Sequence, residues 1–280
     1  MNVSELLKRY ERGDRDFSGV DLAGVDLRGK TLIQVSFKNA NLCGANFSRA
    51  FLTKADLSGA NLNWADLSFA KLSNAKFVET DLTKANLEGA FMVKSKFARA
   101  KLAGTKLAHS NLRGSNLWGA NLCGAMLRKV NLREANLSGT NLSWANLYES
   151  RLSAAHLYGA TLNGANLSQA FLRNVDLSGF DLEDLNLSGA RLNYANLEGA
   201  SLERANLQGA HLRHVNLRHA NLTGANLTDA VLEEADLTAT LLEQVDLNHA
   251  NLGKIAPRNA EEQESVMWDR FLAYGWNHLS

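Results

Sequence analysis

The sequence predicts an all-β solenoid of about twelve four-repeat coils, with a short helical cap at each end. Three observations lead there. From Phe17, every fifth residue is large and apolar without a slip to Leu252: 42 Leu, five Phe and Met92 fill the 48 positions. The residue two before each of these is small, usually Ala, and the residue just before is Asn or Asp in most repeats. A second period, of 20 residues, lies above the first.

Neither regular element explains a step of five. On an α-helix each step turns ~140°, so the leucines would spiral around every side. On a flat strand an odd step would send alternate leucines to opposite faces. All of them stay inside only if the chain turns a corner once per repeat. Asn, Asp and Gly, which crowd the outer positions, are the residues that tolerate corners. Self-similarity at a short fixed period is the mark of a stacked solenoid.

The period of 20 fixes the number of corners. The repeats sort into four faces: face 1 holds Phe17 and every twentieth residue after it, face 2 Leu22, face 3 Leu27 and face 4 Leu32. On face 4 the residue before the inward one is neither Asn nor Asp in nine of twelve repeats; on the other faces this happens four, four and two times. Four repeats therefore close one coil. At a strand spacing of ~4.8 Å, twelve coils make a rod roughly 58 Å long.

Runs such as "ANLSGT", "ANLEGA", "ANLQGA" and "ADLSGA" resemble the pentapeptide-repeat family, and the likeness covers residues 17–252. The resemblance implies a right-handed quadrilateral β-helix with the Leu or Phe, and the small residue two before it, pointing inward. The opening "MNVSELLKRYERGDRDF" is similar to the starts of several bacterial members, especially from photosynthetic bacteria.

The chain's two cysteines sit in "NLCGAN" (41–46) and "NLCGAM" (121–126), 80 residues or four coils apart on face 2. At ~4.8 Å per coil their separation is ~19 Å, too far for a disulfide. Two unpaired thiols fit a reducing compartment. With no apolar leader at the start and no apolar run long enough to cross a bilayer, the expected location is the cytoplasm.

The ends of an open solenoid expose unpaired edges that need covering. "SELLKRYERG" reads as a helix with Ser4 as N-cap and Gly13 just past its end, so residues 1–16 are expected to form an N-terminal cap. Residues 17–252 form the β-helix and 253–280 a C-terminal helical cap that begins near Asn259. Met267, Trp268, Phe271, Leu272 and Tyr274 would give that helix an apolar side, as a lid or as a dimerisation surface. The dimer alternative resembles how some gyrase-binding members of the family pair.

No constellation for catalysis, cofactor or metal emerges. Asp21, Asp56 and Asp81 occupy the corner position, where a carboxylate substitutes for Asn in turn hydrogen bonding. Of the seven histidines only His211 and His214 fall together, and no third ligand joins them. Phe180 and Leu185, two large residues in successive small-residue positions, predict a local distortion of one coil.

Function is expected on face 4. It carries Lys54, Lys71, Lys94, Arg113, Arg133, Arg151, Arg173, Arg191 and Arg213, one base in each of nine successive coils, with Glu134 the only acid among them. Phe51, Phe91, Phe171 and Tyr194 are interleaved. Only Gly114 stands two residues after the inward position, where the other faces have seven, six and four glycines. One explanation is a corner type on this face with no call for Gly. The other is a non-catalytic scaffold that docks an acidic protein partner.

Face 2, opposite, collects Asp181, Glu183, Asp184, Glu203 and Glu243. Over the whole chain, residues 1–130 carry a net +9 and residues 131–280 a net −8. The acidic half keeps open a second class of function: by resemblance to gyrase-inhibiting family members, a DNA-mimic modulator of a topoisomerase. Direct nucleic-acid binding through the bases is disfavoured, because ~4.8 Å rungs do not match the 3.4 Å charge spacing of a DNA strand.

Overall fold

The fold was analysed in a computed structural model, which describes residues 1–253. It is a solenoid. Parallel bridges join residues 20 apart from Asp16↔Ser36 to Val231↔Asn251, with one interruption at His156 and Thr161. Among the described residues no run of bridges is long enough to make a strand, because each straight segment is interrupted by a turn within the same five residues.

One repeat shows how the corner is built. The N–H of Leu42 donates to Asn61 O in the next coil (2.8 Å), and that of Gly44 to Asn63 O (2.8 Å). The Asn61 N–H returns a bond to Ala40 O (3.0 Å), and the Ala45 N–H closes the turn onto Leu42 O (3.0 Å). Asn or Asp before the inward residue accepts from the N–H two residues on, as Asp81 does from Thr83 (3.0 Å). That is the turn role expected of Asp21, Asp56 and Asp81; the first two accept from Ala23 and Ser58 in the same way.

Partial burial opposes the charge on Asp56, but hydrogen bonds from Ser58 and the Lys76 ammonium outweigh it and hold its pKa below the ordinary value.

The interior is a dry stack. Of the 48 five-spaced apolar residues all are buried except Leu242 and Leu247, which are half-buried in the last coil described. The aromatic column on face 1 is not uniform: Phe77 and Phe97 stack at 4.6 Å and 3°, whereas Phe17 and Phe37 are tilted at 6.0 Å. Leu57 separates the two pairs. Where Ser or Thr replaces the small Ala, the hydroxyl finds a carbonyl, as Thr80 does at Leu57 O (2.7 Å) and Ser115 at Met92 O (2.7 Å). The buried hydroxyls of Ser110 and Ser150 have no such partner among the described residues.

At the N-terminus, helix α1 (Val3–Glu11) lies against the first coils. Leu6 is fully buried in the rod's core, and the Tyr10 hydroxyl donates to Ile33 O (3.0 Å). The N-cap is Asn2 rather than Ser4: the Asn2 backbone is extended and its side chain accepts from the Glu5 N–H at 2.9 Å. Asn and Ser cap about equally well, so propensity alone could not choose between them. Gly13 follows the helix with φ +104°, as expected of a residue that ends it.

The coil junction under Phe180 and Leu185 is broken. The N–H groups of Leu157, Gly159, Leu162 and Gly164, and of Asp176 and Asp181 across from them, lack the inter-coil bonds that their equivalents make elsewhere in the rod. The bridges expected for His156 and Thr161 with the next coil are likewise missing. On faces 4 and 3 the same junction is held by Arg151↔Phe171 and Asn166↔Asn186. Leu185 is buried and Phe180 half-buried, so two side chains too large for Ala positions wedge the coils apart on faces 1 and 2.

Two measurements check this account. Leu142→Asp places an unpaired carboxylate in the dry stack and is expected to destabilise the rod by more than about 4 kcal/mol; a melt within a degree or two of the parent would contradict the inward assignment. In hydrogen exchange, the amides of Leu157, Leu162 and Asp181 are expected to exchange at least tenfold faster than that of Leu142, and Phe180→Ala to slow them. Equal protection in the parent would mean that the junction is closed.

Candidate functional site

Face 4 is built on the same corner as the other three. All 47 residues two after an inward position, from Gly19 to His249, have φ near +60°, and 29 of them are not glycine. On face 4 these include Gln34, Lys54, Asn74, Lys94, Tyr194 and His214. A corner type without need of Gly is therefore not the reason for the face's composition. The left-handed conformation costs a non-glycine residue about 1–2 kcal/mol, and face 4 bears this cost in nearly every coil.

The residues before the inward position form one continuous line of bridges. In order these are Phe51, Lys71, Phe91, Asn111, Asn131, Arg151, Phe171, Arg191 and His211. Cations and rings alternate at both ends of the line, and three of the four neighbouring pairs lie within 6.0 Å. The Lys71 ammonium lies 3.5 Å from the Phe91 ring centre; the Arg151 and Arg191 guanidiniums flank Phe171 at 6.0 and 4.6 Å. On the adjacent columns Arg173 lies over Tyr194 (5.0 Å), which stacks on His214 at 4.6 Å. Phe51, Phe91 and Tyr194 stay nearly half exposed, and Phe171 is half-buried.

Eight of the nine bases are exposed and Lys71 is half-buried. Two are neutralised: Arg113 pairs with Glu134 (2.8 Å) and Arg213 with Glu233 (2.9 Å). Lys54, Lys71, Lys94, Arg133, Arg151, Arg173 and Arg191 make no ion pair among the described residues. His214 is tied to Glu234 (3.1 Å), and no three His, Cys, Asp or Glu side chains among the described residues converge to hold a metal.

The opposite face is less acidic than its sequence suggests. Arg204 binds Glu183, Glu203 and Asp184, the last at 2.9 Å, so that three of the five expected carboxylates are taken up. These contacts push the Arg204 pKa up, the hydrogen bond that Arg204 donates to Asp184 most of all. Cys43 and Cys123 are free and half-buried. Met267, Trp268, Phe271, Leu272 and Tyr274, expected to form a cap or dimer contact, lie outside the described residues.

Cation–ring contacts one coil apart also occur off face 4, which the sequence reading missed. Lys84 lies 4.6 Å from the Trp64 ring on face 2, and Arg49 lies 6.0 Å from Phe69 on face 3. The signal was present: a base and an aromatic 20 residues apart at the same position of the repeat. Trp64 and Trp144 are among the most exposed large apolar residues of the rod.

The family model described as "Pentapeptide repeats" matches 21–59, 60–99, 100–139, 140–179, 181–218 and 216–253. Among solved structures, the chain is similar to HetL of the cyanobacterium Nostoc sp., a pentapeptide repeat protein involved in heterocyst differentiation regulation. Identity there is 32%, over 89% of this chain and 96% of that one, with a TM-score of 0.43. A pentapeptide repeat protein of the Arabidopsis thaliana thylakoid lumen is 35% identical over 41% of this chain and 70% of its own, at TM-score 0.26. QnrB1, a plasmid-mediated fluoroquinolone resistance protein, is 18% identical over 82% and 89%, at TM-score 0.36. No curated protein matches the chain. With these three TM-scores below 0.5, the family rests on the repeat match.

The shared corner is open to test on face 4. In Gly114→Ala the new methyl would meet only Lys94 Cγ at 3.6 Å, so the expected loss of about 1 kcal/mol is one of backbone conformation alone. Gln34→Gly is expected to be neutral or stabilising in urea unfolding. A costless Gly114→Ala would show that the corners of face 4 differ from the rest.

Proposed function

The chain belongs to the pentapeptide-repeat family, and on that premise we propose a non-catalytic binding scaffold whose face 4 docks an acidic protein partner. In this reading residues 17–252 are a right-handed quadrilateral β-helix of about twelve coils, capped by helices in residues 1–16 and 253–280, and the protein works in the cytoplasm. Among the described residues no helix is long and apolar enough to cross a membrane.

One observation carries the reading: seven bases on one face have no ion-pair partner among the described residues, on corners that do not differ from those of the other faces. Like charges ~8–10 Å apart repel by about 0.4–0.5 kcal/mol per pair in water, summed along the face. The cation–ring contacts recover part of this, each ~0.5–1 kcal/mol at exposed sites. They do not account for the sign, since a solvated column would admit acids as readily as bases. Exposed rings within a charged surround supply anchors for a protein surface. The DNA-mimic alternative would draw on the acidic half, residues 131–280, where Arg204 engages Glu183, Asp184 and Glu203.

The test is charge reversal. Arg133→Glu, Arg151→Glu and Arg173→Glu together are expected to abolish capture of an acidic protein from lysate and to leave the melt unchanged or slightly raised. An unchanged set of captured proteins would remove the docking reading.

A further inference from the structure

Face 4 constrains the shape of its partner as well as its charge. From Arg133 the bases alternate across the face: Arg133 follows its inward residue, Arg151 precedes it, Arg173 follows, Arg191 precedes and Arg213 follows. All five are exposed. The preceding residues form one bridged line, in which Phe171 separates Arg151 from Arg191. The following residues lie on the other side of the inward leucine, so the cations form a zigzag. It advances one coil, ~4.8 Å, at each step and returns to the same side after ~9.6 Å.

We propose that the occupant of this zigzag is an α-helix of the partner with carboxylates at the first and fourth positions of a heptad; this rests on the docking reading above. Side chains at those positions alternate sides of one seam and return every seven residues, which at 1.5 Å per residue is ~10.5 Å. The mismatch with two coils is ~0.9 Å. Over the four steps from Arg133 to Arg213 it accumulates to about 2 Å, within the reach of flexible arginine side chains. An extended peptide returns to the same side every ~6.6 Å and falls out of step at once. A DNA strand, with a phosphate every 3.4 Å, does the same.

The rest of the face suits a helix. The Phe171 ring lies on the preceding side between the two guanidiniums, half-buried, where it can meet an apolar side chain. Arg133, Arg151, Arg173 and Arg191 are unpaired among the described residues, so a carboxylate displaces only water there. Arg213, held by Glu233 at 2.9 Å, marks the end of the free stretch. The helix is then roughly 13 residues long, the ~19 Å of four coil steps divided by 1.5 Å.

The experiment uses the full chain and three synthetic 21-residue peptides of equal charge, read by fluorescence anisotropy at about 0.1 M salt. One carries Glu at every first and fourth heptad position, one spreads the same glutamates around the helix, and one carries prolines that prevent a helix. The first is expected to bind at least tenfold tighter than the others and to lose that advantage in the Arg133→Glu, Arg151→Glu, Arg173→Glu variant. Equal affinity for the first two peptides overturns the helical register and leaves the charge reading standing. Tightest binding of the proline peptide assigns the face to an extended chain. If no peptide binds while the parent, unlike the variant, still captures protein from lysate, the docking reading survives and the helical occupant is wrong. Duplex DNA bound more tightly than every peptide overturns both.

Discussion

Everything in this rod depends on a corner taken in the left-handed region once every five residues. The positive φ turns the chain by about a quarter of a coil without sending the next leucine outward, and so an odd repeat can keep a constant inside. The conformation is costly for the 29 corner residues that are not glycine. It persists because each repeat returns inter-coil hydrogen bonds and buries a large side chain, worth ~1.5–3 kcal/mol, in a stack that extends in both directions.

The corner also dictates how outer residues meet. A side chain at a left-handed corner leans along the axis toward the corner of the next coil, and what stands there must leave room. A methyl on Gly164 would lie 2.5 Å from the Trp144 ring, and one on Gly89 would lie 2.6 Å from Phe69. Glycine is therefore selected at these corners by the neighbour's bulk, since φ alone admits other residues elsewhere. The rule links residues 20 apart into columns, and it is why bases and rings of one column pair along the rod rather than across it, as Lys84 does with Trp64.

The fold was legible because the inward set is nearly free of exceptions, and the coil length because one face broke the Asn rule. Even the broken junction could be read from Phe180 and Leu185, since an Ala-sized position gives a large side chain nowhere to go. What was not legible was local choice between equivalents: Asn2 and Ser4 cap equally well, and only the entry direction of the chain decides. The identity of all four corners was also hidden. A face with one glycine suggested a different turn, whereas Lys, Tyr and His adopt there the backbone that glycine adopts elsewhere. The bases of face 4 could be named from sequence, but their pairing could not, because Glu134 and Glu233 select Arg113 and Arg213 through geometry alone.

The two ends of the basic line use different cations, and the difference bears on what each can do. Its first three members, Lys54, Lys71 and Lys94, are lysines; its last six, from Arg113 to Arg213, are all arginine. An ammonium is a compact, strongly hydrated charge that contributes mainly a field, which speeds encounter with an acidic surface and weakens with salt. A guanidinium is planar, stacks on rings and binds carboxylates through two parallel hydrogen bonds. The guanidiniums of Arg151, Arg173 and Arg191 lie within 6.0 Å of ring centres, which limits their rotation before any partner arrives. Less freedom is then lost on binding, and the bridges Arg151↔Phe171 and Phe171↔Arg191 hold the spacing on this face although the junction is open on faces 1 and 2. In the docking proposed for face 4, the lysine stretch would gather an acidic partner from a distance and the arginine stretch would set its register.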